Sequence, residues 1–167
     1  MTVSLLDIST ATAAYLENEV EVRIGQVTGN LQAEEEGTFT VRVTNPEAPG
    51  GVRLVDLTLH ILVAPDSVAQ LIPPTGALIN ARATADTSDP LLGNDDRVPE
   101  MFVFFNGLGE FDATLDVGEV LELGFRYVAI GPGDATLSCH VHASVDLDDL
   151  FPRSAGPNGE KSLTVIR

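Results

Sequence analysis

The sequence predicts an all-β protein, an antiparallel two-layer sandwich with a long irregular insertion, and three observations carry that expectation. The first is Ala135 to Asp146, Ala-Thr-Leu-Ser-Cys-His-Val-His-Ala-Ser-Val-Asp, where Ala135, Leu137, Cys139, Val141, Ala143 and Val145 alternate with polar residues. A period of two sustained over that length marks a strand with one face on a core and the other on water. The second is the recurrence of shorter alternating runs between turn residues, seven or more along the chain, as an antiparallel sandwich requires. The third is the lack of any long run with the 3.6-residue period of a helix.

Taken in order, residues 1 to 18 read as an N-terminal extension. Ser9 to Glu17 contains Ala-Thr-Ala-Ala-Tyr-Leu-Glu, enough for a helical turn and too short to hold a helix alone. A single sandwich domain is expected over residues 19 to 167. Its first strand is Glu19 to Val27, with Val20, Val22 and Ile24 opposed to Glu19, Glu21 and Arg23. Glu34-Glu35-Glu36-Gly37 reads as a turn, and Thr38 to Thr44 follows with Phe39, Val41 and Val43 inward. Asn45-Pro46 and Pro49-Gly50-Gly51 close that strand as a loop. A further strand is expected from Val52 to Val63, with Val55, Leu57, Leu59, Ile61 and Val63 facing in and Asp56, Thr58 and His60 facing out.

From Ala64 to Gly118 prolines break the pattern repeatedly, which makes this the irregular insertion. Short strands fit at Ala77 to Ala83, Met101 to Phe105 and Phe111 to Leu115, with an exposed loop from Asp86 to Asp96. A clear strand returns with Leu121, Leu123, Phe125 and Tyr127 inward. Gly131-Pro132-Gly133-Asp134 then predicts a hairpin into the strand at Ala135. Asp148 to Gly159 reads as a loop, and Ser162 to Ile166 as a closing strand.

Bulk composition narrows the partners. A chain of 167 residues with 44% hydrophobic content can bury one proper core. Aromatic content of 5% without Trp makes that core chiefly aliphatic. The net charge of -16, from 25 acidic against 9 basic residues, repels phosphate backbones, so nucleic acid and anionic membrane are not expected partners. The single cysteine, Cys139, excludes an intrachain disulfide and a cysteine-cluster metal site. Its place on the apolar side of its strand points to an inert buried thiol. No window is apolar enough to span a membrane, and no basic stretch leads into a long apolar run at the N-terminus. A soluble chain without membrane insertion or a signal peptide is therefore expected.

Three segments also look familiar: Gly37-Thr38-Phe39-Thr40-Val41-Arg42-Val43-Thr44-Asn45, Leu115-Asp116-Val117-Gly118-Glu119 ahead of a strand, and Gly133-Asp134-Ala135-Thr136-Leu137. They resemble the strand and turn motifs of bacterial and archaeal immunoglobulin-like surface modules, the CARDB and DUF11-like repeats, over Gly37 to Ile166. That resemblance implies an immunoglobulin-like sandwich used for spacing or adhesion, not catalysis. The chain departs from the pattern in its insertion at 64 to 118 and in Asp146 to Gly159, which lacks the Asn-rich ending such repeats often show.

Chemically, the three histidines stand out. His60, His140 and His142 all occupy outward positions of expected strands. In an immunoglobulin-like order their two strands neighbour each other in one sheet, which would gather the imidazoles on one solvent-facing patch. Strands about 4.8 Å apart, with same-face neighbours about 7 Å apart along a strand, bring such rings within reach of one Zn²⁺ or Cu²⁺. A His-x-His pair alone is weak evidence for a metal and is more often two surface histidines, and a three-histidine site also needs a register that aligns His60 with the pair. Oxygen-rich clusters at Asp86, Asp89, Asn94, Asp95 and Asp96, and at Asp146, Asp148 and Asp149, are candidates for Ca²⁺, although neither has the spacing of a calcium loop. Gly-x-Ser-x-Gly, a phosphate-binding glycine loop and His-Glu-x-x-His are all absent.

The expectation is thus a non-catalytic structural or protein-binding β-sandwich module of a cell surface or a larger assembly such as a virion or filament. It would self-associate or bind protein partners through edge strands and loops. The alternative is a Zn- or Cu-binding sandwich using His60, His140 and His142.

Overall fold

The structure is a computed structural model and describes residues 14–47, 51–73, 80–83, 97–104, 106–107, 111–112, 114–145 and 153–167. Its strands are β1 (Glu21–Gly25), β2 (Glu36–Thr44), β3 (Leu54–Ala64), β4 (Ala69–Ile72), β5 (Asn80–Ala83), β6 (Glu100–Phe104), β7 (Asn106–Gly107), β8 (Phe111–Asp112), β9 (Val120–Ala129), β10 (Gly133–Val145) and β11 (Arg153–Val165). A four-stranded sheet in the order β1-β2-β9-β4 faces a five-stranded sheet in the order β11-β10-β3-β6-β5, and β7 and β8 pair as a small ladder. Every ladder between named strands is antiparallel.

The alternation read from the sequence sets both inner faces. Phe39, Val41, Val43, Phe125 and Tyr127 of one sheet, and Leu59, Ile61, Leu137, Cys139 and Val141 of the other, are all buried. Burying each such side chain stabilises the fold by about 1.5–3 kcal/mol. The Tyr127 hydroxyl donates to the Thr28 carbonyl, and burial pushes its phenol pKa up. Burial also pushes the Cys139 thiol up to about 12, so roughly one molecule in 10⁴ carries a thiolate at pH 8. An aromatic disulfide reagent is expected to leave the native chain unmodified at that pH and to label it stoichiometrically in concentrated guanidinium chloride. A native rate near that of a free thiol would remove Cys139 from the core.

Several elements differ from the sequence reading. The expected hairpin at Gly131-Pro132-Gly133 is an arch: β9 and β10 belong to different sheets. β9 is already flanked by β2 and β4, and β10 by β3 and β11, so neither has a free edge for the other. The passage from β3 to β4 crosses between the sheets in the same way, and the two crossings are stitched together. Ile130 and Gly131 N–H both donate to the Val68 carbonyl, at 2.8 and 3.3 Å. A Cβ at Gly131 would stand 2.9 Å from the Ser67 carbonyl oxygen, so this approach needs glycine.

The irregular insertion contains β4, a strand the prolines around it concealed, as well as β5 to β8. The loop expected from Asp148 to Gly159 is strand from Arg153 onward. Its Gly156-Pro157 pair falls in a bulge, where His140 faces Asn158 but His142 faces Ala155. β11 is an edge strand, where proline and bulges are tolerated. A second bulge, in β3 between Val55 and Thr58, shifts the alternation there. Leu54 is buried and Val55 only partly so, the reverse of the expected phase. Glu36, placed in a turn by the sequence reading, opens β2 instead.

One polar residue lies inside the core rim. Asn45 is fully buried. Its amide nitrogen donates to the carbonyls of Val52 at 2.9 Å and Leu115 at 3.0 Å, and its side-chain oxygen accepts from the Tyr15 hydroxyl at 2.7 Å. The Gly118 N–H donates to its carbonyl at 2.7 Å, in a turn where Gly118 has φ of +87°. Residues 14–18 form a helical turn whose Leu16 is fully buried. The core thus reaches into the segment the sequence reading set apart as an extension.

Candidate functional site: a histidine cluster on the five-stranded sheet

The β3–β10 ladder places His60 directly opposite His140 and Thr58 opposite His142. Since Leu59, Ile61, Cys139 and Val141 point into the sandwich, the histidines between them project from the other face of the sheet. The His60 ring centroid lies 6.0 Å from that of His140 and 6.2 Å from that of His142. All three sequence-predicted residues are therefore brought together around His60. The adjacent strand β6 adds a fourth group. Glu100 is the Cα partner of Leu62, two residues along from His60, and its Oε1 contacts His60 Nε2.

The face is less open than the sequence suggested. All three histidines are half-buried. The His60 side chain is 18% exposed and that of Glu100 36%. Thr58 and Ser138, read as outward and wet, are 4% and 7% exposed. A polar contact made there is screened less by water than on an open surface.

Chemically, a histidine–carboxylate pair orients one imidazole and fixes its tautomer. As the side chains stand, no three His, Cys, Asp or Glu groups among the described residues have the spacing of a closed metal site. The calcium candidates Asp86, Asp89, Asn94, Asp95 and Asp96, with Asp146, Asp148 and Asp149, lie outside the described residues. Glu100 is the member that sequence reasoning missed. The alternation of Glu100 with the buried Met101 is a local signal of its outward direction, but nothing local says that β6 lies beside β3.

No family model matches this sequence, and no curated protein matches it. Solved structures match it in fold. A cohesin module from a Clostridium perfringens family 33 glycoside hydrolase is 7% identical, with a TM-score of 0.54 over 87% of this chain and 96% of that one. AvmM, which catalyses macrocyclisation in alchivemycin A biosynthesis, is 11% identical, with a TM-score of 0.51 over 89% of each chain. Domains D2 and D3 of the major pilin SpaD from Corynebacterium diphtheriae are 12% identical, with a TM-score of 0.50 over 83% of this chain and 50% of that one. A CARDB domain from Pyrococcus furiosus, the family whose turns the sequence resembles, is 11% identical, with a TM-score of 0.46 over 89% of this chain and 94% of that one. The fold is an antiparallel immunoglobulin-like β-sandwich.

Proposed function

We propose that this chain is a non-catalytic sandwich module that joins protein partners, copies of itself first, at a cell surface or within a larger assembly such as a filament. The observation that carries this reading is the state of the sheet edges. On one side of the sandwich β1 packs close to β11, so close that a Cβ at Gly159 would stand 2.8 Å from the Val22 carbonyl oxygen. The outer edge of β4 is taken by residue 98, through Leu71 N–H to Val98 O at 2.6 Å and Val98 N–H to Leu71 O at 2.8 Å. Among the described residues nothing pairs with the outer edge of β5. An unpaired edge strand offers backbone donors and acceptors to a strand of another chain. Fold likeness to a cohesin module and to pilin domains supports the same reading, while likeness to AvmM shows that the architecture also hosts catalysis.

The test is light scattering across a concentration series from micromolar to millimolar. Concentration-dependent association is expected, and a lysine in place of Asn80 on β5, which alternates with the Ala81 that partners the buried Val103, is expected to abolish it while leaving the thermal transition unchanged. A chain that stays monomeric throughout the series removes the self-assembly reading.

A further inference from the structure

We propose that His60, His140 and His142 form a binding site for one transition-metal ion, Zn²⁺ or Cu²⁺, with Glu100 as the carboxylate that fixes the His60 ring. The three imidazoles lie on one face of one sheet, and His60 is central to both close ring pairs, at 6.0 and 6.2 Å. Imidazole nitrogens bind Zn²⁺ at about 2.0–2.1 Å, which puts two ring centroids on one tetrahedral ion about 5 Å apart. Each of these two pairs therefore has to close by about 1 Å, and His140 and His142, two residues apart on β10, have to turn toward each other as well. Side-chain torsions are the freedom available for this, because the ladder fixes the strands. A register slip of one residue, by contrast, would turn a histidine into the core. Because no three His, Cys, Asp or Glu groups among the described residues stand at coordination spacing, the site closes on the ion instead of preceding it.

Glu100 sets the chemistry of His60. With its carboxylate on Nε2, ligation falls to Nδ1, the carboxylate–histidine–metal arrangement that fixes the tautomer and raises ligand basicity. An all-imidazole set selects Zn²⁺ or Cu²⁺ over Mg²⁺ and Ca²⁺, which prefer oxygen donors. The burial of Thr58 and Ser138 beside the rings restricts water around the ion. Three protein ligands leave the fourth position to water. The net charge of -16 draws any divalent cation to the surface, so imidazole ligation has to be distinguished from diffuse attraction.

The experiment is calorimetric titration of Zn²⁺ into the chelator-stripped full chain in excess Mg²⁺, with histidine ring nitrogens followed by NMR. One Zn²⁺ per chain is expected, with Mg²⁺ unable to compete and all three ring resonances shifted. His140→Ala and His142→Ala are each expected to weaken binding at least tenfold, and Glu100→Gln by about 10- to 100-fold without abolishing it. Absence of saturable binding in Mg²⁺, or binding that leaves any of the three rings unmoved, overturns the site. The NMR readout on the unaltered chain decides the matter even where an alanine variant fails to fold. Self-association through β5 and metal ligation are read separately, so either can fail alone.

Discussion

Phe39→Ala is expected to lower the unfolding free energy by about 3–5 kcal/mol, the range for truncating a buried phenylalanine. Phe39 is fully buried and is the Cα partner of Phe125 across the β2–β9 ladder. Its ring lies 5.6 Å from that of Phe125 and 6.3 Å from that of Tyr127. Aromatic pairs at such distances add about 0.5–1.5 kcal/mol beyond their burial. Urea unfolding should show the midpoint shifted with the slope unchanged, and the thermal midpoint should fall by about 10 °C. Val120→Ala is the control. Val120 is 42% exposed on β9, and its truncation should stay within about 0.5 kcal/mol. Equal effects at the two positions would mean that Phe39 does not pack as described.

Asn45→Asp is expected to cost about 3–5 kcal/mol at neutral pH, although it changes one amide nitrogen for an oxygen. That nitrogen donates to two carbonyls, at 2.9 and 3.0 Å. An oxygen there faces two acceptors with nothing to donate, and a carboxylate adds an unpaired charge in a fully buried place. The folded state then holds the carboxyl proton more tightly than the unfolded chain does. The aspartate's folded-state pKa is therefore raised above the unfolded value near 4. The variant's deficit against the parent should be smallest below about pH 4 and should grow as pH rises through the raised pKa. Denaturant midpoints of both proteins at pH 4 and pH 7 check this. A deficit that is constant with pH would show that the carboxyl is not buried. Tyr15→Phe, which removes the hydroxyl that donates to the same asparagine and accepts from the Val52 N–H at 3.1 Å, should cost about 1–3 kcal/mol.

How much of this was legible beforehand depended on the kind of information each feature needs. Strands β2, β9 and β10 announce themselves, because a half-buried strand must alternate and Thr38 to Thr44 and Ala135 to Val145 do so. β4 does not, since Ala-Gln-Leu-Ile is four residues long and Pro73 follows it at once. Turn residues report that the chain reverses at Gly131-Pro132-Gly133, not whether it returns in its own sheet or in the one opposite. Gly156 and Pro157 hide the first half of β11 because a bulge on an edge strand uses the same residues as a loop. The nearness of His60 to His140 follows from strand order and period. Their direct opposition is a matter of register that the sequence leaves open, and Glu100 joins them only through a ladder formed across the insertion.

The pairing of distant strands has a consequence for how the chain is made. Phe39 meets Phe125, 86 residues further on, and His60 meets His140, 80 residues further on. At a synthesis rate of about 5–20 residues per second, β2 waits roughly 4–17 s after it is translated before β9 exists. During that wait its apolar side chains and backbone edge are open to the same strand of a neighbouring nascent chain. Glu34 and Glu35 immediately precede that stretch and Glu36 opens it, and like-charge repulsion between copies opposes such pairing.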